Sequence, residues 1–377
     1  MNPYEGKITI MHVGFIYNIA TEALLRERPE MTLRDSDAIE TIQEVTAALE
    51  AGGHRVTGLN ADQHLPAVLT QSRFDIVFNI ATGVYGESRQ THVPAMLEYL
   101  RIPHTGPGVL AEALCHHKPQ QKMVLMANGV PSAPFQVFHS ASDPIRQDLR
   151  YPLIVKLPSE GASMGLDYDS VVHNEADLRK KIAFLIDTYH SNVMVEEYID
   201  GREFTVALLG HSPAYAMPVA ELEFFGKLPI RLDEVEDSNF ELLKQATGKD
   251  DLEQVRMESR SNVPANLPPE LEKRIQQTAI DAFNAIGCKD WARIDMRMDK
   301  DGQLYVLEVN LGPGIASDCI FARCAFASGL SFNQLVHTIL NHAVERYPHL
   351  SGQKISNGDG RFFLGTLAKE KSLTPDY

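Results

Sequence analysis

The segment Trp291 to Gly314, WARIDMRMDKDGQLYVLEVNLGPG, concentrates side chains that could do chemistry. Asp299-Lys300-Asp301-Gly302 is a turn signature between two alternating runs, so Asp290 to Arg297 and Gln303 to Asn310 are expected to pair as a hairpin. Side chains alternate along a strand, so Asp295 and Glu308 can face one spot from neighbouring strands. Asn310, two residues after Glu308, returns to the same face. Two carboxylates and an amide oxygen make a hard oxygen site suited to Mg2+ (or Mn2+) held between protein and phosphates. Arg293 shares that face and could bind a transferring phosphoryl group. The alternative is a salt-bridged hairpin at a sheet edge; the complete set, with a Gly-Pro-Gly turn beside it, favours the metal site.

A second cluster is Lys156 to Gly165, KLPSEGASMG. Here a strand is expected to end in a lysine and pass into a loop of Gly161, Ala162, Ser163 and Gly165. Small residues let backbone N–H groups approach phosphate oxygens, and a lysine adds a point charge. By itself such a loop is more often a plain hairpin turn. It gains weight from Lys118 upstream and from VEEYIDGRE (Val195 to Glu203) downstream, an acidic segment that could receive an adenine amine and ribose hydroxyls.

The elements that must position these groups follow from periodicity. Lys7 to Phe15, His54 to Leu59 and Phe74 to Ile80 read as strands, and Ser36 to Ala51 as an amphipathic helix stopped by Gly52-Gly53. That order describes a parallel α/β unit with ligand loops at the carboxyl ends of its strands. Helices are expected at His92 to Leu100, Ala111 to Ala127, Asn174 to Tyr189, Pro269 to Ile286 and Ser331 to Val344. Strands are expected at Phe135 to Phe138, Leu153 to Lys156, Val193 to Glu197, Arg202 to Leu209 and Ala214 to Phe224. The charged stretch from Phe225 to Pro269 lacks clear periodicity, and a segment that long is usually functional or mobile.

Bulk properties exclude several classes. A net charge of −15 argues against a nucleic-acid partner, whose phosphates recruit Lys and Arg. No apolar run approaches the length of a bilayer span, so no membrane partner is expected. The N-terminus reads as a first strand rather than a signal peptide. The 4 cysteines show no metal-ligand spacing and fit free thiols in a reducing cytoplasm.

Taken in order, FNIATGVYGE, IPHTGPG, HHKPQQK, GVPSAPF, VKLPSEGASMG, VEEYIDGREFTVALLG, GCKDWARIDM, EVNLGPG and GLSFNQLV resemble the ATP-grasp superfamily, and within it the D-alanine–D-alanine ligases. The resemblance covers nearly the whole chain. It implies an α/β ATP-grasp fold: an amino-terminal parallel α/β domain (1–110), a central subdomain (111–190), a carboxyl-terminal domain (191–347) that completes the nucleotide cleft, and a tail (348–377). It implies ATP and Mg2+ as cofactors, small carboxylate and amine substrates, and a homodimer as a compatible assembly. The reaction would be carboxylate phosphorylation, amine attack on the acyl phosphate, and release of ADP and phosphate.

Carried over by position, Lys118 and Lys156 look like the lysines on the α- and β-phosphates, although the HHKPQQK match also allows Lys122. Gly161, Ser163 and Gly165 fall in what looks like the phosphate lid. Glu196, the backbone near Ile199, and Glu203 look like adenine and ribose contacts. Asp295, Glu308 and Asn310 match the metal ligands. Arg293 and the N–H of Gly314 match groups that stabilise the acyl phosphate and the tetrahedral intermediate.

The amino-acid half departs from the family. Gly14 to Ala20 reads GFIYNIA where an acid is usual, Ile80-Ala81 replaces a His-Gly pair, and Cys319-Ile320 replaces serine-leucine. A tyrosine-rich loop is missing between Phe225 and Pro264. These departures predict a substrate other than D-alanine; the rival is a D-alanine–D-alanine ligase of cell-wall synthesis. Glu87, Arg89, His92, Asp318 and Cys319 are the candidates for substrate contact. Arg89 and His92 read equally as a solvated helix start, Cys319 as packing, and His116-His117 as a surface pair.

Overall fold

The computed structural model describes residues 10–19, 37–83, 85–86, 88–159, 166–167, 169–225 and 259–350. Glu87, the loop containing Gly161, Ser163 and Gly165, most of the stretch after Phe225, and the tail beyond Leu350 lie outside the described residues.

The first apolar run forms β1 (His12–Tyr17), whose central four residues are buried. It lies between β2 (Arg55–Asn60) and β3 (Ile76–Asn79) in a parallel sheet of order β2-β1-β3. Parallel strands need crossovers. These are α1 (Ile39–Ala51) and α2 (Leu65–Gln71), the latter a short helix the periodicity did not reveal. Alternation along β1 sends Val13 and Phe15 into a core with Val45, Ala48 and Leu49 of α1. Ile16 packs the other way, against α2 and α3 (His92–Tyr99).

The expected Ala111 to Ala127 helix is two helices, α4 (Val109–His116) and α5 (Lys118–Ala127). His117 between them is extended (φ −113°, ψ 95°), and Pro119 sits in the first turn of α5. Proline has no N–H to give and is accommodated at a helix start, not in an interior. The break leaves Lys118 opening a helix, with its N–H on the Pro158 carbonyl at 2.9 Å.

A four-stranded antiparallel sheet follows, of order β4-β7-β5-β6: β4 (Phe135–Phe138), β7 (Val193–Glu197), β5 (Leu153–Lys156) and β6 (Val171–Val172). Helix α6 (Glu175–Tyr189) backs it with Leu178, Ile182 and Leu185, and is capped by the Asn174 side chain, which accepts from the Asp177 N–H. Because β7 pairs only with β4 and β5 among the described strands, this unit reaches Glu197 rather than stopping at residue 190.

The largest sheet runs β11 (Ser259–Asn262), β10 (Ala220–Phe224), β8 (Gly201–Gly210), β12 (Asp290–Asp299), β13 (Leu304–Leu311), with β9 (Ala214–Ala216) on the end of β8. The expected Ala214 to Phe224 strand is divided at Met217-Pro218-Val219, where proline cannot donate to a ladder. Helix α7 (Pro269–Ile286) covers one face through Ile275, Ala279, Ala282, Phe283 and Ile286. On the other side α8 (Ile320–Ala327) and α9 (Phe332–Glu345) share one core with β1, β3 and α1. The amino-terminal sheet is thereby locked to the large one. Among the described residues no helix is long and apolar enough to cross a membrane.

Candidate active site

The site lies on one face of three strands. Across β12 and β13, Arg293 stands opposite Asn310 and Asp295 opposite Glu308. Across β12 and β8, Arg293, Asp295 and Arg297 oppose Ala207, Thr205 and Glu203. Residues directly opposite in antiparallel strands share a face, so this register is what gathers the groups. It slips by one residue immediately after Asp295, a bulge that bends β13 beside the carboxylates.

Asp295 is 5% exposed and densely held. Its Oδ1 accepts from Thr205 Oγ1 at 2.6 Å, and Arg293 donates to it from Nε (3.2 and 3.1 Å) and Nη2 (2.9 Å). Asn310 Nδ2 donates to Asp295 Oδ2 at 3.0 Å and reaches Glu308 Oε1 at 3.4 Å. Lys118 Nζ is 3.8 Å from Glu308 Oε2. Two anions, two cations and one amide thus converge. With its amide turned over, Asn310 presents oxygen where its nitrogen now lies between the two carboxylates. The resulting all-oxygen set fits Mg2+ or Mn2+.

The lysines divide their work. Lys118, partly exposed, faces Glu308; Lys122 is fully buried and bonds Glu196 Oε2 (2.7 Å) and Ser132 Oγ (2.9 Å). Glu196 also takes Lys156 on its other oxygen. Burial alone would raise the Glu196 carboxyl, but the ammonium groups of Lys122 and Lys156 overcome it and hold the pKa down to about 2. Of the two lysines in HHKPQQK, Lys118 is therefore the one beside the carboxylate cluster. The break at His117 put it there.

Glu203 accepts from Arg297 Nε at 2.7 Å, and Arg297 Nη1 donates to the Ile199 carbonyl at 3.0 Å. The same guanidinium stacks 4.9 Å over the Tyr198 ring. Sequence reasoning missed Arg297, although the two-residue period from Arg293 and Asp295 would have placed it on their face.

Around the glycine turn, the Cys319 thiol donates to the Gly314 carbonyl at 2.7 Å, and Asp318 is exposed. Glu44 of α1 accepts from Ser317 N–H (3.0 Å) and Oγ (2.7 Å), an acid at this loop that no local sequence signal announces. Two expectations are corrected. Arg89 is not at a solvated helix start: it is 3% exposed, with Nη1 3.2 Å from His116 Nε2. For the same reason His116 is a buried partner, not a surface residue. His92 is exposed.

Glu196→Gln should destabilise the protein by about 3 kcal/mol, since it leaves the buried Lys122 ammonium, with the partly exposed Lys156 beside it, facing a neutral amide. The sign of its pH dependence follows from a folded pKa of about 2 against the ordinary 4.5. The carboxylate's contribution is present above 4.5 and fades as pH falls towards 2. Melting curves of both proteins should therefore converge on acidification; a constant gap down to low pH would contradict the assignment.

The match to a family model described as D-ala D-ala ligase C-terminus spans residues 124–341. The chain is 33% identical over 313 residues to the protein y4sG of Sinorhizobium fredii, covering 80% of this chain and 87% of that one. It is 33% identical over 300 residues to a D-alanine–D-alanine ligase of Rhizobium meliloti, covering 78% and 89%. In fold it is similar to a crystal structure of the Bacillus anthracis D-alanine–D-alanine ligase complexed with ATP, with a TM-score of 0.67 at 21% identity over 89% of this chain and 98% of that one.

Proposed function

Because this chain belongs to the D-alanine–D-alanine ligase family, we propose that it joins an amino-acid-like carboxylate other than D-alanine to an amine through an acyl phosphate. It is an ADP-forming, ATP-dependent ligase. The observation that carries the reading is the single face on which Arg293, Asp295, Glu308, Asn310 and Lys118 meet.

Asp295, Glu308 and Asn310 would hold Mg2+, which when bound neutralises charge on the ATP phosphates and polarises the bond being broken. Lys118 and Lys156 hold the phosphate oxygens as point charges, and Glu203 and the Ile199 backbone position the nucleoside. Arg293, which donates to Asp295 from Nε and Nη2, would bind the transferring phosphoryl group beside that carboxylate. Positioning and charge neutralisation suffice for in-line phosphoryl transfer, and the described residues of the site are of the kind that supply both. The amine then attacks the acyl carbon, the Gly314 N–H donates to the developing oxyanion, and the acyl C–O bond breaks, phosphate leaving with its electron pair and the amine's proton passing to solvent.

The acid's own pocket supports a substrate other than D-alanine. Asn18, at the end of β1, is 1% exposed and spends its Oδ1 on the N–H groups of Thr82 (2.9 Å) and Gly83 (3.0 Å). Ile80 and Ala81 lie in two separate cores and offer no polar group. Cys319 stands where the family has serine. A site built for one set of polar contacts rejects molecules that leave its groups unpaired.

The test is ADP release against pairs of amino acids and other small acids, with products read by mass spectrometry. D-Alanine alone should give dipeptide at least about a hundredfold more slowly than the preferred pair. Rapid D-alanyl-D-alanine formation would restore the cell-wall reaction. No ADP release with any pair would overturn the ligase reading.

A further inference from the structure

At the far end of β8 a second group of ligand-bearing side chains lies away from the face described above. His211 occupies the turn between β8 and β9, and His342 and Glu345 lie one helical turn apart on α9. One ligand atom from each falls within 4.8 Å of the others. The two imidazole rings are nearly perpendicular (88°), with centroids 6.0 Å apart. His342 Nδ1 is 3.5 Å from Glu345 Oε2, and His211 Nδ1 is 3.9 Å from Asp290 Oδ1.

Both Nδ1 atoms are buried; that of His211 makes no hydrogen bond, and that of His342 has only the long contact to Glu345. A buried polar atom without a good partner is costly, so two facing one small space call for an occupant. Asp290 cannot supply it: its carboxylate is taken by Arg346 (2.9 and 2.6 Å) and by the Gly106 N–H (2.8 Å). Gly210 keeps the space clear, since its φ of +97° disfavours a side chain, and a Cβ there would meet the Pro213 carbonyl at 3.0 Å and His342 Cε1 at 3.6 Å.

We propose that His211, His342 and Glu345 form a site for a divalent transition metal of the zinc class, with a fourth position open to water. Two imidazoles and one carboxylate are a borderline-soft donor set, unlike the oxygen-only set of Asp295, Glu308 and Asn310. The two sites are distinct. Asp290, beside His211, is five residues along β12 from Asp295, about 17 Å at 3.3–3.4 Å per residue. Zn–N bonds of about 2.0–2.1 Å put ligand atoms roughly 3.3 Å apart, so side-chain rotations of about an ångström close the site.

The metal would fasten the β8–β9 turn to α9. The residue that follows α9, Arg346, binds Asp290 and the carbonyls of His104 and Gly106. A tie at this point therefore braces the junction of the amino-terminal and large sheets, and its role is structural.

The test uses untagged, full-length protein freed of metal and held in excess Mg2+, which occupies the oxygen site. Titration with Co2+ should give one equivalent of visible absorption, removed by Zn2+, and Zn2+ should raise the melting temperature. His211→Asn and Glu345→Gln should each weaken Co2+ binding by at least about a hundredfold, beyond the 10–100-fold cost of losing an outer-shell partner. Both should also abolish the Zn2+-dependent rise while leaving the metal-free melting temperature and turnover near wild type. His211 is in a turn, so its variant stands in if a change on α9 disturbs folding. Absorption that persists in both variants would overturn the site. So would a wild-type protein that takes up no Co2+, or only the portion that Glu308→Gln removes.

Discussion

Glu308→Gln should lower kcat by about a thousandfold, roughly 4 kcal/mol of transition-state stabilisation, with the fold intact. The substitution keeps the size of the side chain and deletes the charge that would hold Mg2+ against the phosphates. Glu308 is well suited to such a test because the fold leans on it lightly. Its side chain is 32% exposed, and its contacts are the long ones to Asn310 (3.4 Å) and Lys118 (3.8 Å). Asp295 would be a poorer probe, since Thr205, Arg293 and Asn310 all bond to it and its loss would disturb β8, β12 and β13 together. Near-normal turnover of Glu308→Gln at saturating ATP and magnesium would remove the metal assignment.

Lys156→Ala should weaken ATP binding by about thirtyfold, the equivalent of about 2 kcal/mol for a charge-assisted contact. The geometry gives this experiment two distinguishable outcomes. Lys156 is bonded to Glu196, which Lys122 also holds, so its ammonium serves a buried carboxylate as well as any phosphate. If it did only the former, the alanine variant would melt earlier and bind nucleotide with an unchanged Kd. A rise in Kd measured well below the melting temperature separates the two. Lys122, fully buried beneath Glu196, keeps that carboxylate paired in the variant and limits the structural damage.

Much of the architecture was legible because the signals were local. The Asp299 to Gly302 turn fixed the β12–β13 hairpin, and two-residue alternation put Asp295, Glu308 and Asn310 on one face, as the register bears out. Helix α7 was visible in its 3.6-residue apolar stripe, and α9 as a helix over Ser331 to Val344, whose capping box between Ser331 and Gln334 the structure shows. Short elements were not visible. α2, with seven residues, and β6, with two, carry too little pattern to stand out from their surroundings. The break between α4 and α5 was written in Pro119, but an otherwise continuous helical pattern concealed it.

Residue type and spacing, on their own, determined the hairpin, its carboxylates and the resemblance to a ligase family, because strand and helix periods act over a few residues. Only the tertiary structure decided which partner each charge takes. Lys118 faces Glu308 while Lys122 descends to Glu196, although the two lysines are four residues apart on one helix. Arg297 couples Glu203 to Ile199, Glu44 reaches Ser317 across 273 residues, and Arg89 is buried on His116. His211 meets His342 and Glu345 only because β8 and α9 pack at that point. An ion pair or a ligand set depends on distance in space, and chain order leaves that distance open until the sheets are packed against one another.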